Sequence, residues 1–171
     1  MSHQEHEQRA QAEQRGPIRC AILTASDSRT PETDTSGATL RTRVSEAGHT
    51  VVRYELVRDE PSQIVDLINA FVAEGCQVVI TNGGTGIGRR DSTVDAIEAL
   101  FEKTLPGFGE LFRMLSYQEI GAAAMLSRAT AGVYQGTIIF CLPGSNAAVR
   151  LALDTLIMPQ IEHLVWEIFR S

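Results

Sequence analysis

The sequence contains no apolar run near the roughly 18 residues that would suggest a membrane span, and no C-x-x-C pair. Its three cysteines, Cys20, Cys76 and Cys141, are odd in number, far apart and set in apolar stretches. That pattern excludes a disulfide framework and points to buried free thiols in a reducing compartment. Positive charge is scarce as well. A formal net charge of -6 argues against general nucleic-acid binding, which needs a basic footprint, yet leaves room for a locally positive pocket that takes one small anion. The N-terminus lacks the basic and apolar regions of a secretory signal, so a cytoplasmic protein with no membrane partner is expected.

What is present is an ordinary globular composition, 43% hydrophobic and 21% charged over 171 residues, enough for one core without metal or disulfide staples. Residues 1–16 are polar and rich in Gln and Glu, the composition of a disordered tail, and 17–171 read as the single domain. His3 and His6 fall in that tail, while His49 and His163 have no metal-ligand spacing, so no histidine is given a ligand role.

Short apolar runs alternate with helical patterns. Arg19 to Ala25 is a strand feeding the polar cluster Ser26 to Pro31, and a helix follows from Thr35 or Ser36, whose hydroxyl can cap it, to Ala47, with Gly48 as its stop. His49 to Val57, then Pro61 to Glu74 before Gly75, repeat the unit. Gln77 to Thr81 is the next strand, a turn spans Gly83 to Gly88, and Ser92 or Thr93 caps a helix through Leu100. Leu105 to Ser127 is mixed, with Gly121 to Leu126 reading as a small-residue helix packed closely against a neighbour. Thr130 to Tyr134 and Thr137 to Leu142 flank Gln135-Gly136 as a small β-hairpin; Pro143 to Asn146 then turn into an apolar helix, and a last helix covers about Pro159 to Phe169. Such alternation predicts an α/β fold with a mainly parallel sheet covered by helices on both faces. If those strands are parallel, the loops after Ala25, Val57, Thr81 and Leu142 open on one rim, where ligands of such folds sit.

Gly83, Gly84, Gly86 and Gly88 lie between an apolar strand and a capped helix, so backbone N–H groups there can cradle phosphate oxygens without interference from Cβ atoms. The spacing imitates three better-known loops and fails each. A Walker A loop needs lysine and a hydroxyl where Arg89 and Arg90 stand. A dinucleotide loop needs glycine at Arg89 and, about 20 residues on, an acid where Lys103 stands. A short-chain dehydrogenase loop finds Asn82 in place of a glycine, and Y-x-x-x-K fails at Tyr54, Tyr117 and Tyr134.

Six ordered blocks carry a resemblance: Thr24-Ala25-Ser26-Asp27-Ser28-Arg29, Asp34-Thr35-Ser36-Gly37, Thr81-Asn82-Gly83-Gly84-Thr85-Gly86, Arg90-Asp91-Ser92-Thr93, Pro106-Gly107-Phe108-Gly109-Glu110 and Leu142-Pro143-Gly144-Ser145. Together they resemble the MogA/MoaB family of molybdopterin-binding proteins, and the stretches 109–121 and 125–129 look most like the MoaB branch. The resemblance implies a three-layer αβα sandwich, a homotrimer or homohexamer, and Mg-ATP-dependent adenylylation of molybdopterin. It carries the family's two acidic catalytic positions onto Asp59 and Asp91. Asn82, where threonine is usual, Ser92, where valine is common, and Asn146, in a variable position, depart from the family pattern.

Catalysis of such a transfer is chiefly positioning and charge stabilisation. Magnesium prefers oxygen ligands and suits Asp59 and Asp91, with Glu60 ranked behind them. The nucleotide and substrate are assigned Ser26, Asp27, Arg90 and the loop Thr81, Asn82, Gly83, Gly84, Thr85 and Gly86. The turn of Pro143, Gly144, Ser145 and Asn146 is assigned the pterin phosphate, with Ser145 and Asn146 as hydrogen-bond donors. Taken singly, Asp91 reads first as a helix cap and Asp59 as a turn residue before Pro61; their place after different strands on one rim, beside the glycine loop, turns the reading to chemistry. The competing function is a molybdopterin-binding or scaffolding protein without efficient adenylylation.

Overall fold

A computed structural model describes residues 2–13 and 16–170; Met1, Gln14, Arg15 and Ser171, to which the tail and domain expectations extend, lie outside the described residues. Along the chain the elements are α1 (His3–Glu13), β1 (Arg19–Ala25), α2 (Thr35–Glu46), β2 (Thr50–Val57), α3 (Pro61–Ala73), β3 (Val78–Asn82) and α4 (Thr93–Glu98). They continue with β4 (Lys103–Thr104), α5 (Pro106–Ile120), a 3-10 segment Gly121–Leu126, β5 (Thr130–Tyr134), β6 (Thr137–Leu142), α6 (Asn146–Ala152), a π-helical turn Leu153–Ile157 and α7 (Ile161–Phe169).

The strands form one six-stranded sheet in the order β2-β1-β3-β6-β5-β4. β2, β1, β3 and β6 are parallel, whereas β5 and the short β4 join the edge antiparallel. Period-two alternation sorts β1 and β6 between two cores. Cys20, Ile22, Ile138, Phe140 and Leu142 face α2, α5, α6 and α7, while Ala21, Leu23, Ala25, Ile139 and Cys141 face α3 and α4. The expected three-layer sandwich follows from strands that are apolar on both faces and must be covered twice. The expected hairpin is also present. Gln135 at φ 47° and Gly136 at φ 77° give the two positive-φ residues that match the twist of a two-residue turn.

All three cysteines are buried and free. Burial pushes the Cys141 thiol up to about 12, so these sulfurs pack as small apolar groups.

Several local expectations change. The polar segment read as a disordered tail contains α1, which docks on α7: Trp166 Nε1 donates to Glu13 at 2.6 Å, Gln160 Nε2 donates to Glu7 at 2.7 Å, and Ala10 is fully buried. Composition pointed to disorder because this helix has almost no apolar face of its own and depends on a partner distant in sequence. α2 is capped by Asp34, whose carboxylate accepts from Gly37 N at 2.9 Å, rather than by Thr35 or Ser36. The Ser36 hydroxyl instead donates to Gly144 O at 2.7 Å. The segment Gly121–Leu126 is not closely packed within the chain: Met125 is 78% exposed and only Ala124 is buried. Among the described residues, no helix is long and apolar enough to cross a membrane.

Candidate active site

Because β1, β2, β3 and β6 are parallel, their C-terminal loops meet on one rim, as expected. β1 sits between β2 and β3, so the chain reverses its direction of sheet growth there, and the crevice beside β1 and β3 is where open α/β sheets bind ligands.

The glycine loop leaves β3 tightly. Gly83 donates its N–H to Leu142 O at 2.9 Å, so this amide continues the sheet and is lost to any phosphate. Its φ is 93°, and a Cβ there would overlap the Ala25 carbonyl oxygen. Beyond it, the amides of Gly84, Thr85 and Gly86 donate no hydrogen bond within the described residues. Their carbonyls, by contrast, are tied down. Gly84 O accepts from Val94 N at 3.3 Å and Thr85 O from Arg128 N at 3.1 Å, and Gly86 O accepts from Arg128 Nε at 2.9 Å. A loop fixed through its carbonyls with its amides unspent has the donor arrangement that an anion cradle requires.

Arg128 is the clamp of this loop. Its guanidinium also donates to Asp91 O at 2.9 Å and forms a forked pair with Asp95 at 2.7 and 3.1 Å. Arg128 beside it holds the Asp95 carboxyl below the usual carboxylate range. No pattern around position 128 announces this role, because the partners lie in a different part of the chain.

Asp59 and Asp91 flank the cradle. Asp59 is 7% exposed. Its Oδ1 accepts from Ser92 Oγ at 2.8 Å and Thr93 Oγ1 at 3.0 Å, and Ser92 N lies 3.3 Å from the same oxygen. Asp59 Oδ2 has only a 3.4 Å contact with Ser92 N. The hydroxyls expected to cap α4 therefore anchor a carboxylate instead, and Ser92 makes no side-chain cap. Asp91 Oδ2 accepts from Gly88 N at 2.8 Å, which closes the end of the loop. Both acids lie against the glycines: a Cβ on Gly84 would come within 2.6 Å of Asp59 Oδ2, and one on Gly86 within 2.8 Å of Asp91 Oδ2.

Asp27 and Arg90 meet at the entrance. Arg90 Nε and Nη2 donate to Asp27 at 3.0 and 3.1 Å, and Nη2 also donates to Glu60 at 3.0 Å. Hydrogen bonding from Arg90 holds the Asp27 carboxyl below its ordinary value. Glu60, ranked behind the two aspartates as a metal acid, is thus held by an arginine. Asp27 Oδ1 further accepts from Asp59 N at 3.3 Å, and Ser26 Oγ accepts from Arg29 N at 3.1 Å, which shapes the first loop. Beneath the glycines, Thr81 and Asn82 are fully buried. Asn82 Nδ2 donates to Thr24 Oγ1 at 2.8 Å, while its buried Oδ1 has no partner among the described residues.

The β6 loop lies against the cradle, and a Cβ on Gly144 would stand 3.4 Å from Gly83 Cα. Pro143 precedes Gly144, whose carbonyl accepts from Arg29 Nη2 at 2.7 Å. Of the expected donors Ser145 and Asn146, each accepts one bond here, Ser145 Oγ from Ala148 N at 3.2 Å as the α6 cap and Asn146 Oδ1 from Thr39 Oγ1 at 2.8 Å, and neither bond uses the Ser145 hydroxyl proton or the Asn146 Nδ2 group. The anchor for this corner was not singled out in the sequence. Buried Asp34 accepts from Tyr54 at 2.5 Å and Arg29 at 3.2 Å. Burial pushes its carboxyl up, but hydrogen bonds led by Thr24 and Tyr54 prevail and hold it below its ordinary value. Burial, reinforced by Asp34, pushes the Tyr54 phenol up to about 12.

The profile described as probable molybdopterin binding domain matches residues 21–163. Molybdenum cofactor biosynthesis protein B of Bacillus subtilis is 51% identical over 174 aligned positions, covering 98% of each chain. Its counterpart in Bacillus anthracis is 48% identical, with 100% of each chain covered. A crystal structure of molybdenum cofactor biosynthesis protein B matches with a TM-score of 0.87 and 49% identity over 91% of this chain and 98% of that one. The tungsten cofactor synthesizing protein MoaB from Pyrococcus furiosus matches with a TM-score of 0.84 and 34% identity, over 92% and 100% of the two chains. With the full domain matched in sequence and in fold, the chain belongs to the MogA/MoaB family of molybdenum cofactor biosynthesis proteins.

Proposed function

We propose that the protein is a molybdopterin adenylyltransferase, which uses ATP to adenylylate the terminal phosphate of molybdopterin and releases pyrophosphate. The observation that carries this reading is the set of unspent amides at Gly84, Thr85 and Gly86, flanked by the carboxylates of Asp59 and Asp91. A phosphate cradle beside two acids suits a nucleotide that arrives with a cation.

The two acids fit magnesium by donor chemistry: Asp59 Oδ2 has no short hydrogen bond, and Asp91 Oδ1 has none among the described residues. Hard oxygen donors in that number, completed by phosphate and water, are what this ion prefers. Bound there, it would neutralise charge on the nucleotide phosphates. In the transfer, a phosphate oxygen of molybdopterin forms a bond to the α-phosphorus of ATP. The bond from that phosphorus to the α,β-bridging oxygen breaks, and pyrophosphate leaves with the electron pair. The attacking phosphate is already anionic, so positioning and charge stabilisation are the principal tasks. The loop amides hold phosphoryl oxygens, Ser92 and Thr93 fix the Asp59 carboxylate, and the Gly144 turn, braced by Arg29 and Ser36, abuts the cradle from the pterin side.

Incubation of the purified protein with ATP, magnesium and molybdopterin is expected to yield adenylyl-molybdopterin and an equal amount of pyrophosphate. Pterin binding with no product above a control without protein would reject the transferase in favour of a binding or scaffolding protein.

The same proposal includes a homotrimer or homohexamer. Its support is an uncovered apolar strip: Leu111, Met114, Tyr117 and Ile120 on α5 are 48 to 63% exposed, and Met125 and Leu126 extend the strip. Exposed large apolar residues concentrated on one segment mark a protein contact. Met114→Asp is expected to weaken assembly by about 30-fold or more, the effect of losing roughly 2 kcal/mol at a contact centre, without altering the circular dichroism spectrum. Light scattering after gel filtration checks it, and a wild-type monomer mass would refute the assembly.

A further inference from the structure

The docked N-terminal helix brings together histidines that sequence spacing left unassigned. One ligand atom from each of His6, His163 and Glu167 lies within 4.8 Å of the others. Glu167 Oε1 is 3.6 Å from His6 Nδ1 and 3.3 Å from His163 Nε2. Two ligands of a tetrahedral zinc ion, each bound at about 2.0–2.1 Å, are separated by about 3.3 Å, so the two carboxylate–imidazole separations match or approach those of a coordination shell. From the geometry we propose that the α1–α7 interface binds one imidazole-preferring divalent transition metal ion of the zinc class, through His6 Nδ1, His163 Nε2 and Glu167 Oε1.

Three further contacts prepare these atoms. Gln160 Nε2 donates to Glu7 Oε1 at 2.7 Å, which leaves Gln160 Oε1 to accept from His163 Nδ1 at 3.1 Å. With the ion bound, that contact would hold the His163 proton on Nδ1 and free Nε2, which here lies in hydrogen-bond reach of Glu167 Oε1 at 3.3 Å, to coordinate, as an outer partner does for a metal-bound histidine. Arg170 Nε pairs with Glu167 Oε2 at 2.7 Å, so Oε1, which faces His163 Nε2 at 3.3 Å, is the oxygen turned toward the ion. His6 Nδ1 is buried and makes no hydrogen bond among the described residues. The i, i+4 spacing of His163 and Glu167 places both on one face of α7, and α1 supplies His6 from the opposite side. Water completes the shell.

His3, Glu7 and His163 form a second possible triad that shares His163. It is disfavoured because Glu7 Oε1 already accepts from Gln160 and His3 is exposed. The bound ion would join α1 to α7, adding cross-linking to a polar helix of a length that is marginal in isolation. This site is independent of the rim and of adenylylation.

The test uses the full chain without a histidine tag, stripped with chelator and titrated with zinc by calorimetry, and with cobalt by visible absorption. One equivalent of zinc is expected to bind and raise the melting temperature, and cobalt to give the intense bands of a tetrahedral site; magnesium in place of zinc should do neither. His163→Gln and His6→Gln should each weaken zinc binding at least about 10-fold, whereas His3→Gln should leave it unchanged. Circular dichroism establishes that each variant is folded. Absence of a saturable equivalent overturns the proposal, as does wild-type affinity in His6→Gln and His163→Gln. Loss of binding in His3→Gln with none in His6→Gln would overturn the assigned ligand set.

Discussion

Asp91→Asn is expected to slow pyrophosphate release roughly 10²–10³-fold, the scale set by removing one charge-stabilising group from a transfer site, while pterin binding is retained. The substitution separates two roles of one side chain. Asp91 Oδ2 accepts the Gly88 amide at 2.8 Å, and an asparagine carbonyl can accept the same bond, so the loop keeps its closure. What disappears is the negative charge that the proposed mechanism uses to hold a cation beside the nucleotide. Asp59→Asn should act in the same direction, since its hydroxyl donors Ser92 and Thr93 can still be accepted by the amide oxygen. The double variant should cost little more than either single one, because in the proposed mechanism the two acids serve one ion and act as a unit. Steady-state pyrophosphate release and pterin fluorescence titration, measured on the same preparation, report turnover and binding separately. Wild-type turnover in Asp91→Asn would reduce this residue to a loop cap.

Gly83→Ala is expected to lower stability by about 3 kcal/mol or more, combining the left-handed strain of a non-glycine residue with overpacking. In a chain of this size that is a fall of roughly 6–12 °C in melting temperature. The position has φ 93°, and the new methyl would overlap the Ala25 carbonyl oxygen, which is backbone and cannot swing aside. Relief would require separating the β1 and β3 loops, the two walls of the crevice. Gly107→Ala is the matched control: a Cβ there meets nothing within 4 Å and Gly107 begins a helix, so the melting temperature should hold or rise slightly. Scanning calorimetry of the two variants beside the wild type decides it, and a Gly83→Ala protein melting within 2 °C of the wild type would show that the loop adapts.

The divide between what could be read early and what could not follows the range of each interaction. Gly48 and Gly75 stop α2 and α3 at φ 84° and 77°, as their places after apolar helical patterns require. The apolar runs became strands, Gln135-Gly136 became the hairpin turn, and the parallel order of β1, β2, β3 and β6 brought four loops to one rim. The open form of the glycine loop was legible because its reason is local: several residues without Cβ atoms between a strand and a helix.

Its detailed wiring was not. The withdrawal of the Gly83 amide into Leu142, the clamp from Arg128, and the use of Ser92 and Thr93 to fix Asp59 rather than to cap α4 join residues far apart in sequence. The same holds for α1, whose polar composition suggested disorder and whose His6 meets Glu167 only once the helix docks on α7. Sequence alone determined the alternation of elements, the turns, the buried thiols and the family resemblance, because periodicity, glycine freedom and short motifs are properties of neighbouring residues. Only the tertiary structure decided which amides stay unspent, which arginines are structural and which acids meet, because hydrogen-bond partners are assigned by strand order and helix docking, and these bring distant residues within 3 Å of one another only once the whole sheet is assembled.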